Sequence, residues 1–89
     1  MARITFTPNL ARHVECQTAT APGGTVGEVL AHVFAANPIL GGYVLDDQGG
    51  VRRHMSIFVD GRQIKDRARL SDPVGDEATI YVAQALSGG

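Results

Sequence analysis

Thr25-Val26-Gly27-Glu28-Val29-Leu30-Ala31-His32-Val33-Phe34-Ala35-Ala36-Asn37-Pro38 is the stretch around which the rest of the chain has to be arranged. Thr25 and Glu28 stand at the spacing at which each side chain satisfies a backbone N–H left free at a helix start. Val26, Val29, Leu30, Val33 and Phe34 then recur at i, i+3, i+4, i+7 and i+8, so they share one face of that helix. Burying such a stripe is worth about 1.5–3 kcal/mol per side chain before ordering entropy is subtracted, which makes this helix a main supplier of core. Asn37-Pro38 is expected to stop it.

Towards the N-terminus, Ile4 and Phe6 alternate with Arg3, Thr5 and Thr7, the period of a half-buried strand, and Pro8-Asn9 turns the chain. A Thr-rich extended stretch from about 14 to 21 follows as its hairpin partner, closed by Pro22-Gly23-Gly24. Towards the C-terminus, 39–53 reads as a long connection rich in turn residues, with a possible short strand at Tyr43 to Leu45. Next comes a strand over 54–60, with Met55, Ile57 and Val59 facing the helix and His54, Ser56 and Phe58 facing away. Asp60-Gly61 is a hairpin turn, and Gln63-Ile64 starts the short return strand. After Gly75-Asp76, a last strand over 78–84 points Ile80 and Val82 inward and Tyr81 outward. A hairpin, a crossover helix and further strands predict an α+β domain, an open mixed sheet of four to five strands with one main helix across one face.

Eighty-nine residues form one domain, 1–84, followed by a short tail, 85–89. Eight Lys and Arg against nine Asp and Glu give a net charge of −1, which offers no electrostatic footprint for nucleic acid or an anionic membrane. Cys16 is the only cysteine, so no intrachain disulfide framework exists, and a reducing cytoplasm is the expected compartment. Met1 to Leu10 has no apolar signal-like core, and no run is long enough to span a bilayer.

The tail is Ala85-Leu86-Ser87-Gly88-Gly89. Without a Cβ, Gly88 and Gly89 pass through a channel too narrow for side chains. Extended at about 3.3 Å per residue, Leu86 to Gly89 carry the carboxylate about 13 Å from the folded body, far enough to enter a partner's active site. A carboxylate is a poor electrophile until its oxygen becomes a good leaving group. Acyl adenylation by a separate ATP-using enzyme does this, after which a sulfur nucleophile gives a thiocarboxylate and an amine gives an amide.

The chain resembles the ubiquitin-like β-grasp sulfur carriers, the group of the molybdopterin synthase small subunit and the thiamine-pathway carrier. The likeness is carried by Thr25-Val26-x-x-Val29-Leu30, by Ile57-x-Val59-Asp60-Gly61, by Gly75-Asp76 ahead of Ile80-x-Val82, and by Gly88-Gly89. It implies a β-grasp fold and a Gly89 carboxylate that is adenylated and turned into a thiocarboxylate for a biosynthetic pathway making molybdopterin, cysteine, thiamine or a related product. The implied partners are a ubiquitin-activating-like adenylyltransferase and a downstream sulfur-accepting synthase. No cofactor is expected on the chain itself, ATP and the sulfur donor being used through the activating enzyme. In this reading the chain is a co-substrate and not an enzyme. Two other functions share the fold: a protein modifier joined through Gly89 to target lysines, and a binding module whose tail is irrelevant. The Val74-Gly75-Asp76 turn and the proline-free approach to the glycines differ from the family's common Asp-Gly-Asp and proline-containing forms.

Phe58 and Tyr81 are expected on the sheet face opposite the helix, either as a docking surface together with Leu86, Ser87 and Gly88 or as a satellite cluster closed over by the 39–53 connection. Arg52, Arg53, Arg62, Lys65, Arg67 and Arg69, interspersed with Asp60 and Asp66, read as a solvated face. Cys16 reads as an unreactive strand residue. His13, His32 and His54 lack metal-ligand spacing, and His32 follows Glu28 at the distance of a surface helix pair. Gly23 to Gly27 lacks the Gly-Lys-Ser/Thr ending of a phosphate loop and reads as a turn into a capped helix.

Overall fold

In the computed structural model, which describes residues 1–7 and 18–84, the capping pair opens helix α1, Val26–Ala36. The Thr25 hydroxyl accepts from the Glu28 N–H at 3.2 Å, and Glu28 Oε1 accepts from the Gly24 N–H at 2.7 Å. The preceding turn needs glycine at position 23. Its φ is +149°, and a Cβ there would lie 2.8 Å from both Glu28 Cβ and the Val29 nitrogen. Val26 and Gly27 donate their N–H groups to the carbonyls of Asp72 and Leu70, at 3.0 and 2.9 Å. The first-turn amides of α1 thus have partners inside the chain, and a phosphate has no donors to claim there.

Asn37-Pro38 ends α1 as expected, but helical structure resumes at once, and the strand expected at Tyr43 to Leu45 does not form. The segment Pro38–Val44 is a second helix, α2. Asn37 serves both helices: its N–H donates to the Phe34 carbonyl at 3.2 Å, and its side chain accepts from the Leu40 N–H at 3.3 Å. Proline in the first turn removes only an N–H that has no intrahelical partner, so Pro38 starts α2 where it stops α1. Leu40 and Val44, four apart, are buried. Gly41 allows the close approach, because a Cβ at that position would stand 3.0 Å from Phe34 Cβ. Leu45 then forms a single bridge to Val51.

Five strands, β1 Ala2–Phe6, β2 Ala19–Ala21, β3 Met55–Val59, β4 Arg62–Gln63 and β5 Thr79–Gln84, form one mixed sheet in the order β2-β1-β5-β3-β4. The central pair β1 and β5 is parallel, with Ile4 beside Ile80, and the other pairings are antiparallel. Asp60 and Gly61 both have positive φ, 50° and 85°, as a two-residue hairpin turn between β3 and β4 requires. Of the expected second strand, the part before Thr18 lies outside the described residues. The core lies between α1, α2 and one face of the sheet. Val26, Val29 and Leu30 meet Ile4, Ile57, Ile80 and Val82, all fully buried, while Val33 and Val59 are half-buried at its edge. Two helices therefore cover the inner face instead of one. No described helix is long and apolar enough to cross a membrane.

Candidate functional site

Strand alternation leaves the opposite face of the sheet to Arg3, Thr5, Ser56, Phe58, Gln63, Thr79, Tyr81 and Ala83, and neither α1 nor α2 lies over it. Thr5, Tyr81, Phe58 and Gln63 are successive cross-strand neighbours, making one row across four strands. Within that row the Phe58 and Tyr81 rings have centroids 6.4 Å apart at an interplanar angle of 43°, a tilted contact. Tyr81 remains 39% exposed and Phe58 half-buried. The 39–53 connection sends Leu40, Val44 and Val51 into the core on the other side, so it does not close over the pair. The result is an apolar, aromatic centre ringed by Thr, Ser, Gln and Arg side chains, a composition suited to docking another protein.

This face is physically tied to the tail. Strand β5 carries Tyr81 and Ala83 on it and reaches Gln84, the last described residue, where Met55 is its partner on one side and the Thr7 hydroxyl accepts the Gln84 N–H at 3.4 Å on the other. The chain thus departs for 85–89 from the middle of the sheet, held on both sides up to the point of departure. Leu86, Ser87, Gly88 and Gly89 themselves lie outside the described residues. The Gln84 side chain faces inward and its buried Oε1 has no hydrogen-bond partner among the described residues.

The six basic residues do not form a uniformly solvated face, which corrects the expectation from sequence. Arg67 Nη2 donates to the carbonyls of Arg52 and Met55, each at 2.8 Å, and Arg52 Nε donates to the Gly42 carbonyl at 2.8 Å. Both are half-buried and pin the loop that precedes β3. Arg53, Arg62, Lys65 and Arg69 are exposed. Intervening acids are likewise structural. The Asp72 carboxylate accepts from the N–H groups of Lys65 and Asp66, and those bonds hold its pKa below the ordinary value. Asp66 is lowered chiefly by the Ser71 hydroxyl and then by the Arg69 N–H. Together they tie the 65–72 loop beneath the start of α1.

Glu28 and His32 are both exposed on α1, but the Glu28 carboxylate is turned to Gly24 instead of to His32. Among the described residues no group of three His, Cys, Asp or Glu side chains is placed to hold a metal. Cys16 and His13 lie outside the described residues.

No protein-family model matches the sequence, and no curated protein matches it either. Solved structures do. SAMP1 from Haloferax volcanii aligns with a TM-score of 0.78 at 21% identity, over 99% of this chain and 98% of its own. A chain of the Amycolatopsis orientalis BexX/CysO complex gives 0.78 at 21% identity over 100% of both chains. Mycobacterium tuberculosis CysO gives 0.79 at 19% identity, over 97% of this chain and 100% of its own. The fold shared with them is the ubiquitin-like β-grasp, here a five-stranded mixed sheet with two helices.

Proposed function

We propose that this ubiquitin-like β-grasp domain is a sulfur carrier whose reactive group is the Gly89 carboxylate. A partner adenylyltransferase binds ATP, and a carboxylate oxygen of Gly89 attacks the α-phosphorus, forming the acyl adenylate and releasing pyrophosphate. Hydrosulfide, or the terminal sulfur of a persulfide, then attacks the acyl carbon and AMP leaves with the transferred oxygen. Hydrosulfide yields the thiocarboxylate directly, whereas a persulfide yields an acyl disulfide that a second thiol reduces. A downstream synthase takes the sulfur. The chain is a co-substrate in this scheme, and the catalytic groups belong to its partners.

What supports the reading is where β5 ends. Strand β5 leads directly into Ala85-Leu86-Ser87-Gly88-Gly89 from the centre of the sheet, beside a face that presents Phe58 and Tyr81 to solvent. In the proposal that face docks on the activating enzyme, and Leu86, Ser87 and Gly88 thread towards its nucleotide. The fold shared with CysO, solved in complex with BexX, adds weight to partner-dependent action.

A protein modifier is the second reading, favoured by the fold shared with an archaeal protein named as a small modifier. Both begin with the same adenylate and differ in the nucleophile. The test is intact mass of the chain co-expressed with the activating enzyme and sulfur source of its host. The expected result is a gain equivalent to one oxygen replaced by sulfur, absent from a variant lacking Gly88-Gly89. An unchanged mass beside a working activating enzyme counts against sulfur transfer, and a denaturation-resistant ladder of conjugates that needs Gly89 selects the modifier.

A further inference from the structure

The following rests on the reading of the tail as the reactive group and concerns what surrounds its root. Met55 opens β3 and is paired with Gln84, which closes β5. Met55 also ends a tight turn, its N–H donating to the Arg52 carbonyl at 3.0 Å. The 52–55 turn therefore stands beside the point from which the tail departs, at the end of the sheet opposite the Asp60-Gly61 hairpin.

Three arginines bear on this turn, although the Arg52 guanidinium itself is directed to the Gly42 carbonyl of α2. Arg52 and Arg53 belong to it, and Arg67 reaches it through the carbonyls of Arg52 and Met55. The partners of Arg52 and Arg67 are backbone carbonyls, which satisfy their N–H groups without cancelling their charge. Arg53 is exposed at the tip beside His54 and makes no side-chain hydrogen bond or ion pair among the described residues. Carboxylates near these arginines in sequence are engaged elsewhere: Asp66, next to Arg67, accepts from the Ser71 hydroxyl and the Arg69 N–H, and Asp46 accepts from the N–H groups of Gln48 and Gly50. Two of the three cations hold backbone in place. The third bonds to none of the described residues and adds a like charge beside Arg52.

We propose that Arg53, backed by Arg52 and Arg67, is a basic collar at the root of the tail that docks against an acidic rim around the active-site mouth of the activating enzyme. The five residues after Gln84 span at most about 17 Å when extended, so an enzyme that grips Gly89 in a cleft brings its surface close to the turn. At low salt, where the Debye length is about 30 Å, opposite charges guide encounter across that whole span, and at physiological salt they act once the surfaces stand within about 8 Å. Carboxylates on the rim complement the collar. The net charge of −1 conceals it, because nine Asp and Glu outnumber eight Lys and Arg over the whole chain.

The test is carrier-dependent ATP–pyrophosphate exchange by the activating enzyme of the same organism, comparing wild type, Arg53→Lys, Arg53→Glu and Arg62→Glu at low and high salt. Arg62 lies at the hairpin end, so its reversal makes the same change in net charge far from the tail. Arg53→Glu is expected to lower kcat/KM about tenfold at low salt, through KM, and the loss should shrink to about twofold at about 0.5 M salt. Arg53→Lys and Arg62→Glu should stay within about twofold of wild type, and all variants should melt as wild type does. An Arg53→Glu variant as active as wild type overturns the collar. So does a faster one, which would mean that the collar holds the chain's own carboxylate, and so does an equal loss in Arg62→Glu. If the enzyme activates no wild-type chain, the tail reading fails and the collar falls with it; normal wild-type activation with an indifferent Arg53→Glu removes the collar alone.

Discussion

Truncating Tyr81 to alanine should separate docking from folding. The ring lies on the uncovered face, 39% exposed, and its closest aromatic neighbour is Phe58 at 6.4 Å. A tilted ring pair is worth about 0.5–1.5 kcal/mol beyond its buried area, and much of the Tyr81 ring is already in water. Tyr81→Ala should therefore cost about 1–1.5 kcal/mol of folding stability, or about 5–10 °C in Tm for a domain of this size. By comparison, Leu30→Ala in the fully buried core should cost about 2–5 kcal/mol. Phe58→Ala lies between, and the double variant should lose less than the sum of the singles by about 0.5–1 kcal/mol, because the shared contact is lost only once. Docking obeys a different scale. An aromatic anchor at the centre of an interface costs about 2 kcal/mol or more when truncated, which is about a thirtyfold rise in KM for the activating enzyme. Urea unfolding followed by circular dichroism reads the first quantity, and pyrophosphate exchange at a temperature where every variant is folded reads the second. A Tyr81→Ala variant that loses more than about 3 kcal/mol of stability while keeping its KM would refute the reasoning, since the ring would then be core and not interface.

Arg67→Ala removes two hydrogen bonds from a charged donor and leaves the carbonyls of Arg52 and Met55 short of a partner, so thermal melting should show a loss of about 2–3 kcal/mol; Arg67→Lys, which has no fork, should recover only part of it. The depressed pKa values of Asp66 and Asp72 set an acid limit. Their contribution is complete above the unfolded value of about 3.9 and is lost as pH falls through the lower folded values, so Tm should be level down to about pH 5 and fall below about pH 4. Asp72→Asn should melt lower at neutral pH and show a shallower acid limb, and an unchanged limb would sink the assignment. Gly41→Ala should destabilise by about 1–3 kcal/mol despite the better helix propensity of alanine, because its Cβ meets Phe34; a stabilised variant in urea unfolding would show that α2 slides away freely.

Much of the chain could be read locally because its signals are local. Thr25 and Glu28 marked the start of α1, alternation placed β1, β3 and β5 with their inward residues correct, and Asp60-Gly61 located the hairpin. The second helix was missed although its signals were present. Asn37 is a good cap, Pro38 suits a first turn, and Leu40 and Val44 are four apart, but Gly41-Gly42 and a proline read as breakers when considered one at a time. Gly41 is tolerated because α1 presses against it, a fact about packing that no local pattern contains.

By itself, the sequence determined where α1, β1, β3, the Asp60-Gly61 hairpin and β5 lie, which of their side chains face inward, and that the Gly88-Gly89 pair follows the last strand. Periodicity and capping are short-range physics, written within a few residues of one another. Tertiary structure alone decided that β5 lies between β1 and β3, that neither helix covers Phe58 and Tyr81, and that Arg67 crosses to the 52–55 turn beside Gln84. Those relations join residues far apart in the chain, and they exist only once burial of the α1 stripe has brought the strands into one sheet.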